Sequence, residues 1–525
     1  MYNFTQNLSN NGEEYMNENI IIINCGSQFT QLIARRLREM KIHSVILNWD
    51  VSHETIKSYS PKGIIISGGP DSVNDPDAIT IDREILNLNC PVLGICYGMQ
   101  LIAKLSGGNV TSGHVHEYGV TMIHRTGRSE LLNDSIPECM NVLMSHGDNV
   151  SELPEGFIAT SSTESNITSS IENAGKKFYG LQFHPEVVNT ENGNEIIRNF
   201  VFSICKCSGD WDLEDWVEGT IAQIKKSVGD GRVVCGLSGG VDSSVSAALV
   251  NRAIGDKLQC VFVNHGLMRL HEPESVMNSY KDMGLNVIYV DASERFLREL
   301  AGVTDPEKKR KIIGRLFIEV FEEEAKKIQN AEWLLQGTIY PDVIESGLKK
   351  GAAMIKSHHN VGGLPEHMNL KLLEPLRDLF KDEVRVIGKI IGMPESIVNR
   401  QPFPGPGLAV RCLGEITRER LDVLREADAI FREELKRANL YSGIWQAFCV
   451  LLPVRSVGVM GDSRTYNEVV ALRAIHSQDA MTAEWARIDY DVLDHIAKRI
   501  CNEVRGINRV VMDVTSKPPA TIEWE

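Results

Sequence analysis

The chain has no apolar run approaching the ~18 residues that span a bilayer as a helix, which removes the helical membrane-protein classes. Met1 to Asn19 is rich in Asn and Glu and lacks the basic start and apolar centre of a secretory leader. It therefore reads as a disordered tail. Cysteine occurs 11 times but without a framework: Cys90, Cys235, Cys260 and Cys449 sit inside apolar runs, the pattern of reduced core thiols in a cytoplasmic protein. Cys205-Lys-Cys207 is a close pair with no second pair and no nearby histidine, which argues against a metal there. A basic excess is missing too. Lys and Arg number 55 against 70 Asp and Glu, for a net charge of −15, the opposite of the basic face a nucleic-acid partner needs. Small anions remain open, because screening acts over about 8 Å at physiological salt and local amides and cations decide their binding. Beyond the tail there is no repeat and no low-complexity segment.

What is present points to two chemistries. At 525 residues and 42% hydrophobic content the chain has room for two to four domains of roughly 150 residues. Its organising stretch is Gly236-Leu237-Ser238-Gly239-Gly240-Val241-Asp242-Ser243-Ser244, after the apolar run Arg232–Leu237 and before the helical start Val245–Val250. Strand, Gly/Ser turn and helix in that order make an anion seat. Loop N–H groups and the helix N-terminus converge there, and Ser238, Ser243 and Ser244 can add hydroxyl donors. Gly239 and Gly240 let phosphate oxygens approach the backbone. The Lys-Ser/Thr ending of a Walker loop is absent, so γ-phosphate transfer is not the chemistry. The stretch resembles the Ser-Gly-Gly-x-Asp-Ser loop of the ATP pyrophosphatases, which implies that Ser238–Ser244 holds pyrophosphate as a leaving group.

Residues 20–207 alternate strands and helices: Ile20–Asn24, a helix through Met40, Gly63–Ser67 and Pro91–Ile95. That alternation predicts a parallel sheet covered on both faces. The third strand runs into Gly94-Ile-Cys96-Tyr-Gly98, a nucleophile elbow with cysteine in the serine place. The helix N-terminus behind it favours thiolate over thiol. Phe178–Phe183 reads as a strand that delivers His184-Pro185-Glu186. Residues two apart in an extended segment share a face, so His184 can serve as base and Glu186 can orient it. Gly68-Gly69 and the Tyr97 N–H are candidates for the oxyanion donors, each of a kind worth about 10²–10³ in rate.

Gly-Ser-Gln, Ser-Gly-Gly-Pro, Gly-Ile-Cys-Tyr-Gly-Met-Gln, Met-Ser-His-Gly-Asp and Gln-Phe-His-Pro-Glu together resemble the class I glutamine amidotransferases. The resemblance implies thiol attack on the glutamine carboxamide, release of ammonia, and a glutamyl thioester cleared by water. It also implies that Gln100, Ser145 and His146 help hold glutamine, although His146 by itself reads as structural. Asn24-Cys25 departs from the Asp-Phe usual before Gly-Ser-Gln, which questions a hydrogen bond under that turn.

In residues 208–400, Gln259–Asn264 is the next strand, and its end is where a ribose or base would lie. Asn264 stands where the pyrophosphatases usually carry Asp. Asn286–Asp291 is a further strand, and a long helix opens at Asp305. The buried run from Trp333 is expected to be a strand ending in Asp342 and Glu345. Carboxylates beside a polyphosphate suit Mg²⁺ with waters completing its octahedron; the alternative is solvated loop acids. Gly347 to Met368 is Gly-, Lys- and His-rich, and with Lys356, His358 and His359 it reads as an active-site lid. Zinc is not expected at the two histidines. Lys381 and Asp382 open a helix near the site by resemblance.

Arg400–Gly407 is a Pro/Gly connector, so a boundary belongs there. Residues 401–525 then read as a small α+β domain: one helix from Arg418 to Asn439 and strands at Ala447–Leu452, Val457–Met460 and Arg509–Val514. Its half-covered sheet could pair with a copy of itself. The ending Lys517-Pro-Pro-Ala-Thr-Ile-Glu523-Trp-Glu is too specific for a frayed terminus and implies a docked tail.

Taken with the two earlier motif sets, this ending resembles the glutamine-hydrolysing GMP synthetase family over nearly everything after residue 19. The resemblance implies α/β domains of the amidotransferase and adenine-nucleotide hydrolase types and a C-terminal dimerisation domain. It implies glutamine, ATP and XMP as substrates, Mg²⁺ with ATP and no prosthetic group, a homodimer, and a cytoplasmic setting without nucleic acid or membrane. Arg310, Gln446, Lys517 and Glu523 match positions that hold XMP, and Arg509 one that can reach a partner's site. Two other readings stand beside it. A different acceptor, a carboxylate or a tRNA base, is disfavoured in its tRNA form by the acidic balance. A non-enzymatic regulator is disfavoured by the intact Cys96, His184, Glu186 and Ser238–Ser244.

Overall fold

The structure, a computed structural model, describes residues 19–347, 370–460, 462–477 and 482–525. They divide into two compact units. One takes in residues from 19 to Trp216 together with the helix Tyr340–Gly347; the other takes in Val217–Ile339 and the chain from 370 to Glu525.

The first unit is built on a nine-stranded sheet: β1 (Asn19–Asn24), β2 (His43–Asn48), β3 (Gly63–Ile66), β4 (Val92–Ile95), β5 (Asn109–Arg125), β6 (Cys139–Glu152), β7 (Ile158–Thr163), β8 (Thr168–Asn173) and β9 (Phe178–Leu181). The order is β2-β1-β3-β4-β9-β8-β7-β5-β6. The isoleucines of β1 and β3 are fully buried, as expected where helices such as α1 (Thr30–Glu39) and α2 (Tyr97–Leu105) cover a parallel sheet. The parallel run ends at β9, and the other four strands pair antiparallel. This antiparallel half was not expected from the sequence. Its strands are rich in Ser, Thr and Asn, and a sheet wetted on one side alternates rather than running apolar. The functional consequence lies in one pair. β4 and β9 are neighbours in register, Ile95 beside Leu181, so the segments carrying Cys96 and His184 leave adjacent strand ends.

The second unit holds a parallel sheet of β10 (Arg232–Leu237), β11 (Leu258–Asn264), β12 (Val287–Asp291), β13 (Ala331–Leu335) and β14 (Lys371–Leu373), ordered β12-β11-β10-β13-β14. Winding reverses direction at β10, and ligands of open parallel sheets bind at such a switch point. The loop after β10 leads into α3 (Val241–Ile254). Among the further helices of this unit are α4 (Pro306–Ala325), α5 (Lys381–Ile390) and α6 (Arg418–Arg437). The strand expected to run from Trp333 to Glu345 ends at Leu335, and Asp342 and Glu345 lie instead on the helix Tyr340–Gly347.

At the C-terminal end β15 (Gln446–Met460) and β16 (Ser463–His476) form a long antiparallel pair, joined by β17 (Glu484–Trp485) and by β18 (Ile507–Met512), which runs parallel to β16. The two strands expected at Ala447–Leu452 and Val457–Met460 are one strand whose register shifts between Leu452 and Arg455. Pro453 falls there and cannot donate to the ladder. β16, central to this sheet, was not expected. One hydrophobic core runs on from the parallel sheet (Val234, Val261, Leu334) through α6 (Leu421, Leu424, Phe431) to β16 and β18 (Leu472, Ile507).

The tail is docked. Arg473, fully buried, donates to the Thr515 and Thr521 carbonyls at 2.5 and 3.1 Å. Fully buried Lys309 reaches the Glu525 carboxylate at 2.5 Å.

Candidate functional site

Cys96 sits between β4 and α2 with φ 51° and ψ −107°, a conformation that costs an L-residue about 1–3 kcal/mol and needs its surroundings to hold it. The flanking glycines supply that hold by size. A Cβ on Gly94 would lie 2.4 Å from the Gly98 carbonyl oxygen, and one on Gly98 would lie 2.2 Å from the Ile66 carbonyl oxygen. The elbow is pressed against β3, and the Cys96 N–H is held by the Leu181 carbonyl of β9 at 2.6 Å. Cys96 Sγ is 3.6 Å from the Ser145 carbonyl oxygen, and Gln182 Nε2 donates to it at 3.7 Å.

His184 and Glu186 are buried. His184 Nδ1 meets Glu186 Oε1 at 2.8 Å, while Glu186 Oε2 has no hydrogen-bond partner among the described residues. The histidine backbone is pinned on both sides: its N–H donates to the Leu143 carbonyl at 3.1 Å, and its carbonyl accepts from Thr190 Oγ1 at 2.6 Å. The ring takes Phe29 edge-on, centroids 5.0 Å apart. Burial works against the imidazolium. The Glu186 charge, side-chain hydrogen bonds to Cys96 and Glu186 and charge on Cys96 outweigh it, and the His184 pKa rises to about 10. An imidazolium beside a thiol is the arrangement that sustains a thiolate.

Gly68 and Gly69 line the same place. A Cβ on Gly68 would come 3.1 Å from His184 Cε1; one on Gly69 would come 2.7 Å from the Cys25 carbonyl oxygen and 3.1 Å from the Tyr97 ring. Asn24 answers the question its departure raised: its Oδ1 accepts from the Gly26 N–H and from Thr30 Oγ1, each at 3.0 Å. Gln100 Nε2 donates to the Asp148 carbonyl at 2.9 Å and to Gln182 Oε1 at 3.2 Å. His146 is buried, with Nδ1 2.9 Å from that same carbonyl and Nε2 3.2 Å from Glu117 Oε2; burial lowers its pKa. Ser145 is exposed. Gln182, fully buried, was missed in the sequence; its place directly before Phe183-His184 was the available signal.

In the second unit the loop after β10 bends at Gly239, φ +75°, where glycine carries no steric cost. Ser238 Oγ and Ser243 Oγ stand 3.2 Å apart at the loop mouth, and the Gly240 N–H donates to Ser238 Oγ at 3.3 Å. Val241 is buried under the first turn of α3. Ser244 departs from expectation. Fully buried, it donates to the Gly240 carbonyl at 2.7 Å and meets Tyr280 OH at 3.0 Å, so its hydroxyl braces the loop from behind. Asp242 Oδ2 accepts from Lys381 Nζ at 3.0 Å, and Asp242 Oδ1 is buried without a hydrogen-bond partner among the described residues. Arg400, missed in the sequence because it begins the connector, donates to the Gly239 carbonyl at 2.5 Å and pairs with Glu272. Asn264 Oδ1 accepts the Gly266 N–H at 3.0 Å, and its amide donates to Tyr289 OH at 2.9 Å.

Asp342, in the first turn, and Glu345 lie on the helix Tyr340–Gly347, which belongs to the unit of the nine-stranded sheet. Asp242 Oδ1, left without a partner among the described residues, is a carboxylate oxygen of the kind a cation at the loop would take. Asp382 lies in the first turn of α5 beside Lys381. Lys356, His358 and His359 lie outside the described residues.

Of the residues matched to a nucleotide monophosphate, Gln446 and Glu523 come together: Gln446 Nε2 donates to Glu523 Oε1 at 3.2 Å. Glu523 is held by Arg411, fully buried and not expected from the sequence, which stacks 3.9 Å over the Phe448 ring. Arg310 pairs with Glu307 at 2.6 Å, one turn back on α4. Lys517 bridges backbone-to-backbone with Ala483, and Arg509 is exposed on β18.

Three family comparisons divide the chain: residues 21–204 match the family described as "Glutamine amidotransferase class-I", residues 212–309 "NAD synthase", and residues 433–524 "GMP synthase C terminal domain". A curated "GMP synthase [glutamine-hydrolyzing]" of Aquifex aeolicus is 56% identical over 506 residues, 96% of this chain and 99% of that one. Proteins of the same description from Brachyspira hyodysenteriae and Caldicellulosiruptor saccharolyticus are 55% and 56% identical over 510 residues, each covering 97% of this chain and 99% of theirs.

Proposed function

This chain belongs to the glutamine-hydrolysing GMP synthases, and on that premise we propose how its residues divide the reaction. The enzyme aminates XMP to GMP with glutamine as nitrogen donor and ATP as the activating substrate, releasing AMP and pyrophosphate. At the amidotransferase centre Cys96 thiolate attacks the glutamine carboxamide carbon. Gly69 and Tyr97 N–H groups, with Gly68 beside them, take the developing oxyanion. The His184 imidazolium then protonates the departing nitrogen as the C–N bond breaks, and ammonia leaves. Water, deprotonated by His184, clears the thioester as glutamate. Glu186 keeps His184 in one tautomer and stabilises its cation. The observation that carries this reading is the 2.8 Å contact of His184 Nδ1 with Glu186 under a cysteine held at positive φ.

At the second centre the loop Ser238–Ser244 receives the β- and γ-phosphates. Ser238, Ser243 and the backbone of Gly239, Gly240 and Val241 supply the donors, and Ser244 braces the loop. O2 of XMP attacks the α-phosphorus, forming an adenylyl ester as pyrophosphate leaves. Ammonia adds at C2, and AMP departs with the former O2. The ester is needed because the exocyclic oxygen on C2 is otherwise a poor leaving group. Asp242 is the residue we assign to Mg²⁺, which on binding would neutralise phosphate charge, with Lys381 alongside. Gln446, Glu523, Arg310 and Lys517 are assigned to XMP.

A homodimer is proposed through the C-terminal sheet; exposed Val457, Val459 and Tyr466 on β15 and β16 support it, as they would be covered by a copy. A cytoplasmic setting suits the free cysteines, and the net charge of −15 suits a chain without a nucleic-acid partner. The test is pyrophosphate release by the purified protein with ATP and ammonium, with and without XMP. Release should require XMP; release without it, or none with it, would overturn the assignment. Sedimentation at micromolar protein tests the dimer.

A further inference from the structure

We propose that Gln182 is a positioning residue for glutamine hydrolysis: its carboxamide N–H selects the thiolate form of Cys96. The inference rests on the assignment of Cys96 as nucleophile. Its basis is a chain of amides whose polarity is locked at one end. The Asp148 carbonyl oxygen can only accept, and it faces Gln100 Nε2 at 2.9 Å and His146 Nδ1 at 2.9 Å. The same Gln100 amide nitrogen then donates to Gln182 Oε1 at 3.2 Å. With Gln182 Oε1 committed as acceptor, Nε2 must point the other way, to Cys96 Sγ at 3.7 Å. Turning Gln182 over would set two amide nitrogens against each other. Turning Gln100 as well would set its oxygen against the Asp148 carbonyl. Each alternative loses two hydrogen bonds in a buried place, where orphaned groups are costly.

The two neighbours of the sulfur then discriminate between its protonation states. The Ser145 carbonyl oxygen, 3.6 Å away, is an acceptor and favours S–H. The Gln182 N–H is a donor and favours S⁻, and hydrogen bonds to charged groups are about twice as strong as neutral ones. Gln182 is itself immobile: fully buried, with its backbone N–H tied to the Ser169 carbonyl at 2.9 Å. The titratable groups around Cys96 are His184 with Glu186 after β9, His146 on β6 with Glu117 on β5, and Tyr97, whose hydroxyl turns away to the Ile79 carbonyl. Of these side chains only His184 shares the task of charging the sulfur, so Gln182 is a second, non-titrating contributor.

The experiment is site-resolved alkylation of Cys96 by iodoacetamide across pH 5–10 on the full-length enzyme, read by peptide mass spectrometry, for wild type, Gln182→Leu and Gln182→Glu. Loss of the donor should move the alkylation midpoint up by about one pH unit and slow the reaction about tenfold at pH values below the wild-type midpoint. Gln182→Glu should be slower still, because a carboxylate oxygen repels the thiolate. It also keeps the shape and the hydrogen bond from Gln100, so it decides the matter where the leucine variant fails to fold. Midpoints and rates within twofold of wild type would overturn the inference and leave Gln182 a packed amide. Failure of the underlying reading is separately visible as glutamine hydrolysis that survives Cys96→Ala.

Discussion

Arg411 and Glu523 form a two-pronged ion pair, Nη2 to Oε1 at 2.8 Å and Nε to Oε2 at 3.0 Å, across 112 residues of chain. The arginine is fully buried and the glutamate about one-fifth exposed. Glu523→Gln therefore leaves a buried guanidinium without its carboxylate. Stability should fall by about 2 kcal/mol, below the 3–5 typical of a fully buried pair because water reaches the glutamate. The KM for XMP should rise in the ammonium-driven reaction. Urea unfolding and initial rates check both; an unchanged midpoint would remove the tail's clamp from the account.

Cys96→Ala should abolish glutamine-driven GMP formation, by at least about 10³-fold, while high ammonium still supports synthesis. The two activities measured on one preparation decide it. Loss of both would mean that the centres are not separable.

Glu186→Gln should change stability in a pH-dependent way. The folded His184 pKa of about 10 lies above an unfolded value near 6.5. Its stabilisation is therefore complete below about pH 6.5 and is lost as pH rises through 10. Removing the Glu186 charge removes the largest cause raising that pKa. The variant's deficit in melting temperature should be largest at pH 6 and shrink toward pH 10. A deficit constant with pH would contradict this.

Ser244→Ala and Ser243→Ala should separate. Ser244 is buried between the Gly240 carbonyl and Tyr280 OH, so its loss should cost about 1 kcal/mol of stability with little change in the KM for ATP. Ser243 faces Ser238 at the loop mouth, and its loss should raise that KM several-fold. Pyrophosphate-release kinetics and thermal melts on both variants provide the check; equal effects on KM would show that the bracing role is misassigned.

Gly98→Ala should prevent the elbow from closing. The new Cβ would sit 2.2 Å from a backbone carbonyl oxygen of β3, a clash no side-chain rotation relieves, costing several kcal/mol. Soluble yield and glutamine hydrolysis should both collapse; a stable, active variant would refute the packing argument.

Much of this was legible without coordinates because it depends on neighbours in sequence. Gly-x-Cys-x-Gly, His184-x-Glu186 and the Ser/Gly loop after an apolar run each carry their chemistry within a few residues. The strand-end asparagines sit at the limit. Asn24 and Asn264 depart from aspartate in sequence, yet both take the backbone N–H two residues on, at 3.0 Å. An amide oxygen accepts that bond as a carboxylate does.

What the sequence determined by itself is the inventory of reactive groups and the strand-then-turn frames that present them, since both follow from local periodicity and residue size. Tertiary structure alone decided which distant groups meet. It set β4 beside β9, so that Cys96 and His184 leave adjacent strand ends; it turned Ser244 inward; it put Asp342 and Glu345 on a helix grouped with the other unit; and it brought Arg411 to the tail. The physical reason is that strand pairing and the burial of charge are settled by contacts far apart in the chain, which no local pattern encodes.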